Sequence, residues 1–150
     1  TAGMAVGEIV GPYFPGAGPD EIARLGEAKE ALYRETYRPH VTPLPGLLPL
    51  MARARSCGVP MAVASAAPPE NIALVLDTLG LRAEFATVIS PSQGFRGKPH
   101  PDMFVEAARR MGVAPETCLV FEDAPNGVEA DRHAGGGHAD HARRRGLRGL

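Results

Sequence analysis

The sequence predicts an α/β fold built on a parallel sheet, and two observations support this class. Three short apolar runs of strand length, MAVAS (61–65), ATVIS (86–90) and CLVFE (118–122), alternate with amphipathic helical segments. Such uninterrupted apolar strands are typical of parallel sheets that helices cover on both faces. In addition, a proline-rich segment, residues 38–46, sets a helical N-terminal part apart from the alternating part.

The composition limits the classes of partner. With 150 residues, of which 44% are hydrophobic, the chain has the size and the apolar content of one ordinary domain. A formal net charge of -1 provides no basic surface for a nucleic acid. No stretch approaches the roughly 20 apolar residues that a membrane span needs. We therefore expect neither nucleic acid nor a membrane as a partner, and we expect a monomer.

Cysteine usage indicates a compartment. Cys57 and Cys118 are too few for a disulfide framework and lack the spacing of metal ligands, which favours a reducing environment. The first residues, TAGMAVGEIV, show neither the charged segment nor the cleavage signature of a signal peptide. The sequence therefore predicts a cytoplasmic protein.

The N-terminal helix is predicted over residues 20–37. One stripe of this segment is apolar and should face the core: Ile22, Leu25, Ala28 and Leu32. Glu30 and Arg34 are four residues apart, and we expect them to form an ion pair on the outer face. The three prolines of RPHVTPLPG then end the helix.

Three further helices are predicted from apolar residues that share a face. The first contains Leu47, Leu50, Met51 and Ala54 and ends at Gly58; the second contains Ile72, Val75, Leu76 and Leu79 and ends at Gly80; the third begins near Asp102 and contains Phe104, Ala107, Ala108 and Met111. After Ala130 the sequence, DRHAGGGHADHARRRGLRGL, has no apolar stripe and is rich in glycine. We expect an irregular tail there.

Candidate binding residues follow the strands, because ligands of open parallel sheets bind beyond the carboxyl ends of the strands. MAVAS ends in Ser65, and the segment after it, Ala66 onward, leads into a helix through two prolines. A hydroxyl and free backbone N–H groups at a helix N-terminus suit a phosphate. The alternative is that Ser65 is a plain helix cap.

Charged residues occur at two more such positions. Lys98 lies in GKPHPD, a loop whose prolines fix the direction of the ammonium, which suits the neutralisation of a phosphate or aspartyl group; a solvated loop lysine is the alternative. Glu122 and Asp123 end the third strand, and one or two carboxylates with water are what Mg²⁺ prefers. Their alternative is a pair of charges at a helix N-terminus.

Taken in order, three segments resemble motifs II, III and IV of the haloacid dehalogenase (HAD) superfamily: VPMAVASAAPPENIALVLDTLGL, GKPHPDMFVEAARRMGV and CLVFEDAPNGVEA. The similarity covers roughly residues 40–130 and is to the branch with a helical cap, which contains β-phosphoglucomutase-like enzymes and sugar-phosphate phosphatases. It implies a Rossmann-like three-layer core with an incomplete parallel sheet, plus a partial helical cap. The implied division is a cap over 1–38, a core without its first strand over 39–130, and an irregular tail over 131–150.

The resemblance implies a role for each candidate residue. Ser65 matches the hydroxyl that binds the transferring phosphoryl group, and Lys98 matches the lysine that stabilises the charge on nucleophile and phosphate. Asp123 matches a direct Mg²⁺ ligand. Glu122 matches a residue that binds the ion through water or contacts the residues that bind it. Lys29 falls where cap lysines of this branch reach the substrate. The implied activity is Mg²⁺-dependent phosphoryl transfer on small sugar phosphates through an aspartyl-phosphate.

The sequence departs from the family in its first motif. That motif is an Asp-x-Asp pair, and none of the aspartates here has this spacing: 20, 77, 102, 123, 131 and 140. We expect an N-terminal truncation, a break in the sheet where the first strand would lie, and no activity of this chain alone. The alternative is a non-catalytic protein that binds phosphate and metal. A binding domain outside the family is disfavoured by the lack of a glycine-rich nucleotide loop.

The second departure follows Ala130, where DRHAGGGHADHARRR resembles a coding sequence that has changed reading frame. The alternative for this region is a metal site formed by His133, His138 and His141. Translation of the neighbouring reading frames would distinguish the two.

Overall fold

A computed structural model of the chain describes residues 9–140 and has the predicted α/β class. The helices are α1 (Pro19–Tyr37), α2 (Leu47–Ser56), α3 (Pro69–Thr78), α4 (Asp102–Met111) and α5 (Pro125–Ala134), and the strands are β1 (Ala62–Ala64), β2 (Thr87–Ile89), β3 (Leu119–Glu122) and β4 (Gly137–Asp140). Short 3-10 turns occupy Gly11–Tyr13, Arg38–His40, Arg82–Glu84, Pro91–Gln93 and Pro115–Thr117. In the described part of the chain, no helix is both long and apolar enough to span a bilayer.

The strands form two parallel pairs. β1 pairs with β2, with Val63 opposite Val88, and β3 pairs with β4, with Val120 opposite His138. Between residues 9 and 140, no strand hydrogen bonds join the two pairs. β1, which follows the second motif's proline, and β3, which leads into the fourth motif, thus belong to different pairs.

The core that positions the site lies between the first strand pair and α4. Ile89, Met103 and Ala107 are buried together, and Phe95 packs against them from the loop after β2. Helix α4 contacts β1 and β2 and also contacts α5, which in turn contacts β3 and β4. The two neighbouring helices therefore hold the two strand pairs in one unit, with Ser65 and Ser90 following the ends of β1 and β2.

Helix α1 forms as predicted, but its buried face differs from the prediction. Leu32 is 63% exposed, whereas Glu30 is only 8% exposed. Glu30 and Arg34 do not pair on the outer face; each binds the side chain of Asn71 in α3 instead. The prediction of an outer ion pair was wrong because α1 meets α3 through polar groups, and apolar periodicity carries no information on such a contact.

The expected irregular tail is structured over its first residues. Helix α5 continues to Ala134, and β4 then pairs with β3. Gly135 ends the helix at a φ of 82°, a left-handed conformation that suits glycine. A Cβ at Gly136 would overlap the carboxylate of the buried Asp131. This backbone conformation therefore requires glycine at position 136. The first two glycines of the run thus form the turn between a helix and a strand.

Candidate active site

The structure brings the predicted site residues together in two groups. Ser65, Ala66 and Lys29 line one cavity of about 690 Å³, which lies between α1 and the loop that follows β1. Lys98, Glu122 and Asp123 are not among the residues that line it; Lys98 and Glu122 contact each other. The first group combines a hydroxyl and an ammonium, and the second combines an ammonium and two carboxylates.

Ser65 continues the ladder of β1 and orders the loop behind it. Its backbone N–H donates to the carbonyl of Ile89 at 3.0 Å, and its Oγ accepts the N–H of Ala67 at 3.2 Å. The N-cap of α3 is Pro68, and no side chain caps this helix. The plain helix cap is therefore wrong for Ser65. The hydroxyl lies in the cavity wall instead, at the carboxyl end of a parallel strand.

Lys98 carries a largely buried charge. Its Nζ forms an ion pair with Oε2 of Glu122, and the two side chains are only 9% and 10% exposed. The ammonium also lies 4.9 Å from the centre of the Phe104 ring, a cation–π distance. The alternative of a solvated loop lysine is therefore wrong. The residue after Lys98, Pro99, contacts α5: its carbonyl oxygen lies 3.3 Å from Nδ1 of His133.

The two adjacent acids have different environments. Oε1 of Glu122 accepts the backbone N–H groups of Asp123 at 3.2 Å and of Ala124 at 3.0 Å, while Oε2 binds Lys98. A Cβ at Gly127 would overlap the Glu122 carboxylate, so this side chain packs directly on the first turn of α5. Asp123 is exposed, and within residues 9–140 its carboxylate has no hydrogen-bond or ion-pair partner. Asp123 is thus the acid that is open to a cation.

Lys29 belongs to a polar network between α1 and α3. Its Nζ donates to Oε1 of Glu30 at 2.6 Å, and Nδ2 of Asn71 donates to Oε2 of Glu30, also at 2.6 Å. Nη1 of Arg34 donates to Oδ1 of Asn71 at 3.0 Å. Burial raises the pKa of Glu30, but the hydrogen bonds from Lys29 and Asn71 and the nearby positive charges hold this pKa below its ordinary value of 4.5. Glu30 is therefore ionised at neutral pH.

Several residues of these networks were not identified from the sequence. Asn71 and Glu30 are polar residues at buried positions of amphipathic helices, and the apolar pattern of the sequence contains no signal of their contact. Gly127 follows a Pro-Asn pair, and no pattern in the sequence marks it as the surface on which Glu122 packs. Phe104 was assigned only to the apolar face of its helix.

The histidine alternative for the region after Ala130 gains no support from the described residues. His133 contacts the carbonyl of Pro99, whereas His141 and the side chain of His138 lie outside the described part of the structure. Within the range that the structure describes, no group of three or more His, Cys, Asp or Glu side chains is arranged to hold a metal ion.

Comparison with protein families identifies the class. Residues 12–135 match the family model of the haloacid dehalogenase-like hydrolases. The chain belongs to this family, as the order of its motifs implied. The match continues past Ala130, where we expected the family pattern to end, and this agrees with the continuation of α5 to Ala134.

Individual relatives within this family are phosphatases and a phosphoglucomutase. Hexitol phosphatase B of Escherichia coli strain K12 is 30% identical over 139 residues, which are 89% of this chain and 61% of the relative. Fructose-1-phosphate phosphatase YqaB of the same strain is 43% identical over 76 residues, 51% of this chain and 40% of the relative. The crystal structure of β-phosphoglucomutase from Clostridium difficile has a TM-score of 0.80 and 25% identity, over 92% of this chain and 65% of that chain. The chain thus spans less than two thirds of the length of each.

Proposed function

We propose that this chain contributes the phosphate- and metal-binding residues to Mg²⁺-dependent phosphoryl transfer on small sugar phosphates, a phosphatase or phosphomutase reaction that proceeds through an aspartyl-phosphate. The observation that carries the proposal is the largely buried pair of Lys98 and Glu122 next to the exposed carboxylate of Asp123, at the carboxyl end of β3. Fixed charges at this position suit a reaction in which negative charge spreads over phosphate oxygens.

Lys98 and Ser65 are the proposed catalytic residues. The Lys98 ammonium is held by Glu122 and by the ring of Phe104, so it is oriented before a substrate arrives and needs no reorganisation during the reaction. The hydroxyl of Ser65 and the backbone N–H of Ala66 would bind phosphoryl oxygens. Ser65 is suited to this because it follows a strand whose position the β1–β2 ladder fixes.

Asp123 is the proposed direct ligand of Mg²⁺, and Glu122 would contact the ion through water. The donor set fits, because one exposed carboxylate is free within the described residues and Mg²⁺ keeps several of its waters. When bound, the ion would supply positive charge to the phosphate oxygens. Glu122 is less available than Asp123, since its oxygens already accept a lysine ammonium and two backbone N–H groups.

A small phosphorylated sugar is the proposed substrate. The names of the two phosphatase relatives, for a hexitol and for fructose 1-phosphate, support this class. The cavity of about 690 Å³ has the size of ordinary small-molecule sites, roughly 300–1,000 Å³. It has Ser65 on the core side and Lys29 on the α1 side. We propose that Lys29 contacts the sugar phosphate from the cap.

The missing Asp-x-Asp pair limits what these 150 residues do alone. We propose that they bind phosphate and Mg²⁺ but do not complete a reaction cycle, because no aspartate is spaced to act as nucleophile with a second aspartate as its acid. A non-catalytic phosphate- and metal-binding protein is the second candidate. The same observation favours it, namely binding groups in place without the paired aspartates.

We further propose a monomer located in the cytoplasm. The two cysteines, Cys57 and Cys118, are free thiols, which supports a reducing compartment. Size-exclusion chromatography with light scattering would test the monomer, and fractionation of cells that express the tagged chain would test the location.

Calorimetric titration of the purified chain with inorganic phosphate, with and without Mg²⁺, tests the proposal. Ser65→Ala should weaken phosphate binding by about ten-fold, the loss of one hydrogen bond to a charged group. Asp123→Asn should remove the effect of Mg²⁺. Ser56→Ala is the matched control, because Ser56 is exposed on α2 and its hydroxyl contacts only its own neighbourhood, the carbonyl of Arg53 and Sγ of Cys57, away from the cavity.

Two results would contradict the proposal. Equal phosphate affinities of Ser65→Ala and Ser56→Ala, with no effect of Mg²⁺ on the unaltered chain, would remove the proposed binding site. Turnover of p-nitrophenyl phosphate by the purified chain that persists when Mg²⁺ is chelated would refute both the metal requirement and the proposed inactivity.

A further inference from the structure

We propose that Asn71 is a positioning residue that acts through Glu30: it fixes the Glu30 carboxylate, which holds the Lys29 ammonium at the cavity that Ser65 lines. This inference rests on the proposed function, in which Lys29 contacts the sugar phosphate. It assigns a role to two residues that do not themselves touch the reacting atoms.

Lys29 depends on Glu30 for its direction. Adjacent residues of a helix point to different sides, and the Lys29 ammonium nevertheless reaches Oε1 of Glu30 at 2.6 Å. The Lys29 side chain is 46% exposed, and within residues 9–140 Glu30 is its hydrogen-bond partner. A Glu30 carboxylate that rotated away would leave the ammonium free to turn into solvent.

Glu30 depends on Asn71 in turn. Each carboxylate oxygen of Glu30 accepts one side-chain donor, and the donor to Oε2 is the amide of Asn71. Glu30 and Asn71 are both only 8% exposed, so water cannot readily replace this donor. A buried carboxylate that loses a hydrogen-bond partner carries a large penalty, which favours its rotation toward solvent.

Asn71 is held in the orientation that this role requires. Its Oδ1 accepts Nη1 of Arg34, which turns the NH2 group toward Glu30. Its backbone N–H donates to the carbonyl of Pro68 at 3.0 Å, in the first turn of α3. The donor to Glu30 therefore belongs to the helix that directly follows the Ser65 loop, and it links the position of α1 to that loop.

The lysine content of the chain provides a direct test, because Lys29 and Lys98 are its two lysines. In protein labelled with ¹³C-lysine, NMR relaxation at Cε reports the mobility of each side chain separately. We expect both to be restricted in the unaltered chain. Asn71→Asp, which has the same shape but replaces the donor by an oxygen, should make Lys29 mobile and leave Lys98 restricted. Glu30→Gln should do the same.

The controls separate positioning from general loosening. Glu27→Gln makes the same chemical change at an exposed position of the same helix and should leave Lys29 restricted. If Asn71→Asp left Lys29 as restricted as in the unaltered chain, the inference would be overturned. Equal mobility of both lysines in Asn71→Asp and in Glu30→Gln would also overturn it, because the effect would then be structural.

A binding measurement connects the network to the ligand. Asn71→Asp should weaken fructose 1-phosphate binding by about ten-fold and change inorganic phosphate binding by less than about two-fold, because only the larger ligand extends to Lys29. The loss should disappear in a Lys29→Met background; a loss that persists there contradicts the inference. If the unaltered chain bound neither ligand, the proposed function would fail, and the lysine mobility would still decide whether Asn71 positions Lys29.

Discussion

The ammonium of Lys98 and the carboxylate of Glu122 form a buried ion pair between the loop after β2 and the end of β3. They connect two strand pairs that share no strand hydrogen bonds within the described residues. The pair therefore has a structural role as well as its proposed place in the site. Removal of one partner leaves the other charge largely buried without its ion-pair partner, which is strongly destabilising.

Lys98→Met should accordingly lower the free energy of unfolding by about 3 kcal/mol, measured by urea denaturation near neutral pH. Arg55→Met is the matched control, since the Arg55–Glu84 pair has side chains that are 65% and 24% exposed. Its loss should change the free energy by less than about 1 kcal/mol. Similar effects of the two substitutions would show that the Lys98 pair is no more buried than a surface pair.

Gly127→Ala should displace the Glu122 carboxylate although neither Glu122 nor Asp123 is itself substituted. The new Cβ would overlap the Glu122 carboxylate, which must then move away from Lys98 or from the backbone N–H groups that it accepts. We expect weaker Mg²⁺-linked phosphate binding, measured by calorimetry. The free energy of unfolding should fall as well, but by less than in Lys98→Met, because alanine gains about 1 kcal/mol over glycine in a helix and offsets part of the cost.

Gly97→Ala is the control for that substitution, because a Cβ there would meet nothing within 4 Å. It should leave the Mg²⁺ effect on phosphate binding intact. A Gly127→Ala chain that keeps the full Mg²⁺ effect would show that the position of Glu122 is unimportant for the metal.

The Glu30 network should make stability dependent on acid pH. The folded state lowers the pKa of Glu30 from 4.5, so the unfolded chain binds a proton more readily than the folded one as the pH falls. The stabilisation is thus complete above about pH 4.5 and is lost as the pH falls from there through the lowered pKa of the folded state. Lys29, Arg34 and Asn71 face this carboxylate and all favour its charged form.

We therefore expect the unaltered chain to lose more stability than Glu30→Gln between about pH 5 and about pH 3, measured by urea denaturation at several pH values. Glu27→Gln should retain the pH dependence of the unaltered chain, since Glu27 is exposed. A pH dependence that is the same with and without Glu30 would argue against the network.

The two thiols should react at different rates. Burial raises the pKa of Cys118, and the charges of Asp131 and Glu116 raise it further, while Cys57 is exposed. Because the thiolate is the reactive form, iodoacetamide near pH 8 should modify Cys57 at least about ten-fold faster than Cys118. Mass spectrometry of the digested protein would measure both rates. In urea, where the chain is unfolded, the two rates should be equal. Equal rates in the folded chain would contradict the partial burial of Cys118 before β3.

The sequence was informative where the signal is local. Apolar runs identified β1, β2 and β3, and the residues that follow them, such as Ser65 and Asp123, are the candidates for a binding site, because ligands of parallel sheets bind beyond the strand ends. The contact between Glu30 and Asn71 joins residues 41 positions apart, and no periodicity encodes such a pair. The role of the glycine run after α5 could not be predicted from the sequence either. The absence of a side chain at Gly136 matters because the buried Asp131 carboxylate lies next to it.

The separation of the strands into two pairs has a practical consequence for handling the protein. Within the described residues, β1 and β3 each have one edge on which no strand is paired, and Leu119 and Phe121 on β3 are 60% and 62% exposed. Uncovered sheet edges beside apolar side chains recruit further strands and start aggregation. Samples of this chain should therefore precipitate with rising concentration, and lysine substitutions at Leu119 and Phe121 should improve solubility without touching the site.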